Sequence, residues 1–150
     1  MRKSFVLLQR ILPPFWCGMV LAIGFLEAPL KFRAPGITRE LGLGIGKLVF
    51  SALNNVEIVI ALILAIALFA FASSKTARFL FGLVALVLLL QTFWLVPSLI
   101  ARADTSIAGN IPPESSVHIV YIVFEACKIV LLLSLSVLTQ WSGILKPEQT

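Results

Sequence analysis

The second apolar segment of the chain decides the fold class; residues 54–71 read NNVEIVIALILAIALFAF. From Ile58 onward every residue is apolar, and nothing in the segment alternates with period two. Such a segment predicts a membrane-spanning helix, because a helix satisfies its own backbone hydrogen bonds in lipid. Its first residues include Asn54, Asn55 and Glu57, although the preceding LVFSAL is already apolar. Any function proposed for the protein has to explain why these polar groups lie inside the predicted span.

The chain contains three further apolar segments, and its composition is that of a membrane protein. The chain has 150 residues, of which 59% are hydrophobic and 13% charged, with a mean hydropathy of +1.04. A soluble domain of this size cannot bury so much apolar surface. Each segment is near the length of about 20 residues that crosses a hydrocarbon core. The sequence therefore predicts an all-α, integral membrane four-helix bundle in contact with the lipid bilayer. We expect one domain, 1–150, with helices at 11–30, 48–72, 79–101 and 117–138.

The N-terminal MRKSFVLLQR followed by an apolar run is similar to a secretory signal, but no clear small-x-small cleavage site follows it. We therefore keep it with the first helix and expect Pro13 and Pro14 in the first turn, where no backbone donor is lost. Basic residues beside this helix and in the SSKTAR connection place both termini on the cytoplasmic side. The net charge of +5 lies mostly at helix ends, so we expect no nucleic-acid partner.

The two longer connections, residues 31–47 and 102–116, are predicted to lie on the same side of the membrane. Thr38 suits the N-cap of a helix that continues into the second span, and Ser115 or Ser116 suits the N-cap of the fourth. Gly42 and Gly46 have the GxxxG spacing that allows helices to approach closely in membranes.

The polar residues inside the spans share a depth and a face. Counting inward at 1.5 Å per residue, Glu57, Gln91, Glu125 and Lys128 lie roughly 12–17 Å deep, while Glu27 and His118 lie nearer the surface. In the fourth span, polar residues follow the spacing i, i+3, i+7, i+10, which places them on one helix face. We therefore predict a polar cavity within the membrane, open at one face. Its candidate binding residues are Glu27, Asn54, Asn55, Glu57, Gln91, His118, Tyr121, Glu125 and Lys128.

Three charged residues are expected to lie close together at this depth, namely Glu57, Glu125 and Lys128. An ionised residue at the centre of a membrane helix costs about 2.5–3.5 kcal/mol, so unpaired charges there are unfavourable. Two carboxylates around one ammonium leave one negative charge over. That charge could be held by a shared proton or matched by a bound cation.

Three interpretations of the function follow from the polar residues. The first is binding or passage of a small polar solute, an ion or a proton. The second is a structural or assembly subunit of a membrane complex, whose polar groups hold helices together or to a partner, including a second copy of the chain. The third is a membrane metalloenzyme with the candidate ligands Glu27, Glu57, His118 and Glu125. No nucleophile elbow, HExxH or paired CxxC is present, which argues against an enzyme, and no cofactor is identified.

Three segments carry a resemblance to a known family: EAPLKFRAPGITRELGLGIGKLVFSALNN, WLVPSLIAR and HIVYIVFEACK. The features are Ala28-Pro29, Phe32, the Gly-rich approach to Phe50, Pro97 and His118. With them, the chain resembles the transmembrane-protein-205-like family, which consists of small four-span membrane proteins of unassigned biochemical activity. The resemblance implies a four-helix membrane bundle and implies no reaction. The charged residues of the predicted spans lie outside its pattern, namely Lys31, Glu57, Glu125 and Lys128.

Overall fold

The chain forms four long helices, and the computed structural model describes residues 2–70 and 73–144. No strand occurs within these residues. Helix α1 runs without a break through an α-helical, a π-helical, a second α-helical and a 3-10 part: Arg2–Val20, Leu21–Glu27, Ala28–Leu30 and Lys31–Arg33. Helix α2 is Arg39–Ala70. Helix α3 has a π-helical centre between two α-helical parts: Lys75–Leu90, Gln91–Leu95 and Val96–Ile107. Helix α4 is Val117–Ile144.

All four helices are long and apolar enough to cross a membrane, which confirms the predicted all-α, four-helix membrane bundle. Helix α1 packs against α2 and α4, and α3 packs against the same two helices. This arrangement places α1 and α3 on one diagonal of the bundle. The connections 34–38 and 108–116 lie at one end, which is called the loop end below. The α2–α3 connection lies at the other end with the start of α1 and the end of α4.

The half of the bundle away from the loop end has an apolar core. Its fully buried side chains interdigitate from all four helices: Trp16, Val20, Leu64, Leu68, Val84, Leu132 and Leu135. Large apolar side chains such as Leu62, Phe79 and Val130 are exposed on the outer surface, where a bilayer would cover them. A smaller apolar cluster around Leu95, Val96 and Tyr121 lies toward the loop end.

The two π-helical segments each precede a proline that has no backbone N–H to donate. Ahead of Pro29, the Ala28 N–H donates to the Ile23 carbonyl, five residues back. Ahead of Pro97, the Val96 N–H donates to the Gln91 carbonyl in the same way. A local π register of this kind lets a membrane helix continue through a proline, because the widened turn gives the backbone groups other partners.

The start of α1 differs from the prediction. The helix begins at Arg2, so Pro13 and Pro14 lie in its interior and not in its first turn. Pro14 leaves the Arg10 carbonyl without its helical donor, and Gln140 Nε2 of α4 donates to that carbonyl at 3.0 Å. The expectation was wrong because the compensating donor is 130 residues away in sequence.

Both connections at the loop end are shorter than predicted. Thr38 caps α2, since its hydroxyl accepts the Leu41 N–H at 3.2 Å, and the helix then runs unbroken into the membrane. Helix α3 ends at Ile107. Gly109 follows with a φ of 79°, the left-handed conformation that terminates many helices. The remaining loop leads to α4, whose Val117 N–H is accepted by Ser115 Oγ at 3.2 Å.

Candidate functional site

A layer of buried polar side chains crosses the bundle, with Lys128 at its centre. The Lys128 side chain is fully buried, and its Nζ atom lies 2.5 Å from Glu57 Oε1 and 3.1 Å from Glu125 Oε1. The same Nζ atom donates to Gln91 Oε1 at 2.8 Å. Because an ammonium group has three protons, these three acceptors satisfy all of them. The predicted proximity of the two carboxylates and the ammonium is thus found in the structure.

Helices α1 and α3 supply the remaining donors of this layer. Trp16 Nε1 donates to Glu57 Oε1 at 2.7 Å, and Gln91 Nε2 donates to Glu125 Oε1 at 2.9 Å. The five residues Trp16, Glu57, Gln91, Glu125 and Lys128 are called the buried network below. All four helices contribute to it, and each of its members is at most 2% exposed. The network therefore ties the four helices together at one level.

One oxygen of the buried network has no partner. Within residues 2–70 and 73–144, Glu125 Oε2 is the buried side-chain atom that lacks a hydrogen bond. The Tyr121 hydroxyl is close to this carboxylate, one turn earlier on the same face of α4. A buried carboxylate oxygen without a donor is unfavourable, and the neighbouring Tyr121 hydroxyl is the group placed to supply one.

A half-open cavity of about 680 Å³ lies between Glu125 and the loop end. Its volume is within the range of small-molecule sites in proteins. Most of its wall is apolar, and aromatic and aliphatic side chains come from α1, α2, α3 and α4: Phe25, Phe32, Phe50, Val96, Leu99, Ile100 and Ile122. Toward the loop end, four basic side chains line it together with His118: Lys31, Arg39, Lys47 and Arg102.

Lys31 is held in the cavity wall by α1 and α2. Its side chain is only 8% exposed, and its Nζ atom lies 3.3 Å from Glu27 Oε2. The same ammonium lies 5.6 Å from the ring centre of Phe32 and 5.2 Å from that of Phe50, which are cation–π distances. The Phe50 ring in turn contacts the Tyr121 ring edge-on at 5.7 Å. A continuous set of contacts therefore joins Lys31 to the residue beside Glu125.

The two glycines of the GxxxG pattern make room for side chains from the end of α1. A Cβ atom at Gly42 would overlap Phe32 Cε1, and a Cβ atom at Gly46 would lie 3.0 Å from Lys31 Nζ. The expected close approach thus occurs between glycines of α2 and two side chains, and both glycines are buried. The spacing predicted the close contact but not which side chains make it.

Two polar contacts cross the cavity mouth. Lys47 Nζ of α2 lies 2.7 Å from Asp104 Oδ1 of α3, and both side chains are partly exposed. Arg102 Nη1 of α3 donates to the Pro113 carbonyl at 2.5 Å and so attaches the last loop to the bundle. These contacts fix two of the basic side chains at the mouth.

The structure divides the predicted site residues between the network and the cavity. Glu57, Gln91, Glu125 and Lys128 belong to the buried network, and Glu125 also lines the cavity with Tyr121 and the exposed His118. Glu27 contacts the cavity only through Lys31.

Two amides of α2 were predicted to share a wall, and the structure separates them. Asn54 is buried and its Oδ1 lies 3.0 Å from the Thr92 hydroxyl. Asn55 is exposed and is not among the residues that line the cavity. The inward face of α2 runs through Asn54 and Glu57, three residues apart, and a neighbour at about 100° from Asn54 points away from it.

The metal-site interpretation lacks a ligand set in the described part of the chain. No group of three or more His, Cys, Asp and Glu side chains lies close enough there to hold a metal ion. The four candidates Glu27, Glu57, His118 and Glu125 do not come together. Between Glu57 and Glu125, the Lys128 ammonium occupies the place that a cation would take.

Trp16, Thr92 and the aromatic surroundings of Lys31 were not predicted. Trp16 lies in the interior of α1, away from the membrane surfaces where tryptophan is common. This unusual position could have indicated a hydrogen-bonding role inside the bundle. Thr92 directly follows Gln91, and it gave no signal in a helix rich in apolar residues.

Comparison of the chain with protein-family models, with curated proteins and with solved structures found no match. The resemblance to the transmembrane-protein-205-like family stays a prediction.

Proposed function

We propose that this membrane protein binds a small organic molecule in the cavity between Glu125 and the loop end. The observation that carries the proposal is a half-open cavity of about 680 Å³ whose lining includes Glu125, a carboxylate of the buried network. Apolar walls would contact the body of such a molecule, and a few polar groups would orient it, as in other small-molecule sites. Entry would be from the membrane face at which the loop end lies.

The packing favours binding over an open path through the membrane. Beyond the buried network, the core around Trp16, Leu64 and Leu132 is tightly filled with apolar side chains. A solute that reached Glu125 would meet this core and could pass only after the helices moved apart. A proton could reach Glu125 through the cavity, and the surplus negative charge of the network would attract it.

A structural role is the second candidate, and one observation favours it. The three protons of Lys128 all have acceptors within the network, which joins three helices directly and α1 through Trp16. Such a network stabilises the bundle without any ligand. The two functions predict different results for a variant in which a larger side chain fills the cavity. Such a variant would lose ligand binding, but it would keep the buried network and therefore any structural role.

Native mass spectrometry of the protein in lipid nanodiscs tests the proposal. Ala103 lines the cavity, and an Ala103→Phe variant would fill part of it. Ala101 is exposed on the same helix and is not a lining residue, so Ala101→Phe is the matched control. We expect a co-purified small molecule on the natural protein and on Ala101→Phe, and its loss from Ala103→Phe. The same adduct on both variants, or no adduct on any form, would overturn the proposal.

A further inference from the structure

We infer that the ligand is an elongated zwitterion, with an ammonium group at one end, a carboxylate or phosphate at the other, and an apolar body between them. This inference rests on the proposed binding function and adds the chemical class of the ligand. It follows from what the two ends of the cavity lack.

The inner end carries an excess of negative charge. Gln91 Nε2 and Lys128 both donate to Oε1 of Glu125, and the other protons of Lys128 go to Glu57 and Gln91, so none is left for Oε2. With both carboxylates ionised, the network carries one negative charge in excess. A ligand ammonium at the end of the cavity beside Glu125 would neutralise that charge, whereas a hydroxyl would not.

The mouth of the cavity lacks an anion. Two of its basic residues already pair with carboxylates, Lys31 with Glu27 and Lys47 with Asp104. Within the part of the chain that the structure describes, Arg39 and Arg102 form no salt bridge. Guanidinium groups match the planar geometry of a carboxylate or phosphate and bind it through two parallel hydrogen bonds. An acidic group on the ligand therefore fits this end.

The separation of the two ends sets the length of the ligand. On α4, Glu125 at the inner end and His118 near the mouth are seven residues apart, which corresponds to about 10 Å along the helix. The wall between them is apolar and includes Phe50, Val96 and Leu99. An α-amino acid carries its two charges too close together to reach both ends. A molecule with charges at the two ends of an aliphatic or aromatic body reaches them.

Isothermal titration calorimetry with three compounds of equal chain length tests the ligand class: ω-aminooctanoate, octanoate and octylamine. We expect ω-aminooctanoate to bind the natural protein at least tenfold more tightly than either single-charge compound. Glu125→Gln should weaken ω-aminooctanoate by at least tenfold and leave octanoate unchanged. Arg102→Gln should weaken ω-aminooctanoate and octanoate and leave octylamine unchanged. Arg33→Gln, at an exposed basic residue outside the cavity lining, should change none of the three.

The outcomes separate this inference from the proposed function. Equal binding of octanoate and ω-aminooctanoate, or an unchanged affinity in Glu125→Gln, would overturn the zwitterion class. The loss of a native adduct from Ala103→Phe would still support a binding cavity. No binding of the three compounds would also overturn the zwitterion class. If Glu125→Gln destabilises the bundle, the comparison of the three compounds on the natural protein decides, because it needs no variant.

Discussion

The Lys128 ammonium and the Glu57 carboxylate form a salt bridge of 2.5 Å in the interior of the bundle, where their side chains are 0% and 2% exposed. An ionised residue at the centre of a membrane helix costs about 2.5–3.5 kcal/mol on insertion scales. The salt bridge matches each of these charges with its opposite. Removing one partner alone should therefore be much more harmful than removing both.

Lys128→Met is expected to lower the free energy of unfolding by about 3–5 kcal/mol, because two buried carboxylates lose their counter-charge. The double variant Glu57→Gln/Lys128→Met should recover much of that loss. Reversible unfolding in bicelles measures both values. The exposed Lys47–Asp104 pair is the control, and Lys47→Met should cost no more than about 1 kcal/mol. A double variant as unstable as Lys128→Met would contradict this account of the network.

Trp16→Phe tests the hydrogen bond that α1 contributes to the network. The substitution keeps an aromatic ring in the core but removes the donor that lies 2.7 Å from Glu57 Oε1. Hydrogen bonds to charged groups contribute about 1.5–3 kcal/mol, and we expect a loss of that size in the same unfolding measurement. Trp94 is 52% exposed, so Trp94→Phe should change the stability by less than about 0.5 kcal/mol. Equal effects of the two variants would show that Trp16 does not stabilise Glu57.

Alanine substitutions in the Gly-rich start of α2 should have opposite effects. At Gly42 a Cβ atom would overlap the Phe32 ring, so Gly42→Ala should displace that ring from beside Lys31 and destabilise the protein. At Gly44 nothing lies within 4 Å of the added atom. Gly44→Ala should therefore stabilise the helix by up to about 1 kcal/mol through helix propensity. Thermal unfolding of the two variants checks the contrast, and two changes of the same sign would refute it.

Cysteine labelling tests the arrangement across the membrane. Ser74 lies in the α2–α3 connection, and Ser106 lies near the loop end of α3. In a background without the two natural cysteines, a membrane-impermeant maleimide should label Ser74→Cys from one face and Ser106→Cys from the other. The distribution of basic residues predicts cytoplasmic termini, and Ser74→Cys should then react from the cytoplasmic face. Labelling of both positions from the same face would rule out the four-span topology.

The charged centre of the site could be predicted because helix periodicity and depth are properties of the sequence. Glu125 and Lys128 are three residues apart on one helix, and Glu57 lies at the same depth on another, so α2 needed only to face α4. The identity of the wall residues could not be predicted in the same way. The sequence does not decide which of the adjacent amides Asn54 and Asn55 faces the bundle, because that depends on the rotation of α2 about its axis. The structure buries Asn54 and exposes Asn55.

Contacts between distant segments were beyond prediction for a related reason. A GxxxG spacing shows that something approaches α2 closely, but Phe32 and Lys31 reach Gly42 and Gly46 only because the chain turns back after α1. The sequence Ala34-Pro35-Gly36 favours a turn, but the positions of the side chains on either side of that turn depend on tertiary packing.

The proline pair in α1 provides the last prediction. Pro14 leaves the Arg10 carbonyl without a helical donor, and Gln140 Nε2 donates to it at 3.0 Å from α4. Gln140→Leu should therefore cost about 0.5–1.5 kcal/mol in the natural protein, the net contribution of a typical hydrogen bond. In a Pro14→Ala background the residue at position 14 regains an N–H that can satisfy the carbonyl from within α1. Gln140→Leu should then be close to neutral, and the double-mutant cycle, measured by unfolding in bicelles, should give a coupling of the same size. A cost of Gln140→Leu that is unchanged by Pro14→Ala would show that Gln140 stabilises the bundle by some other contact.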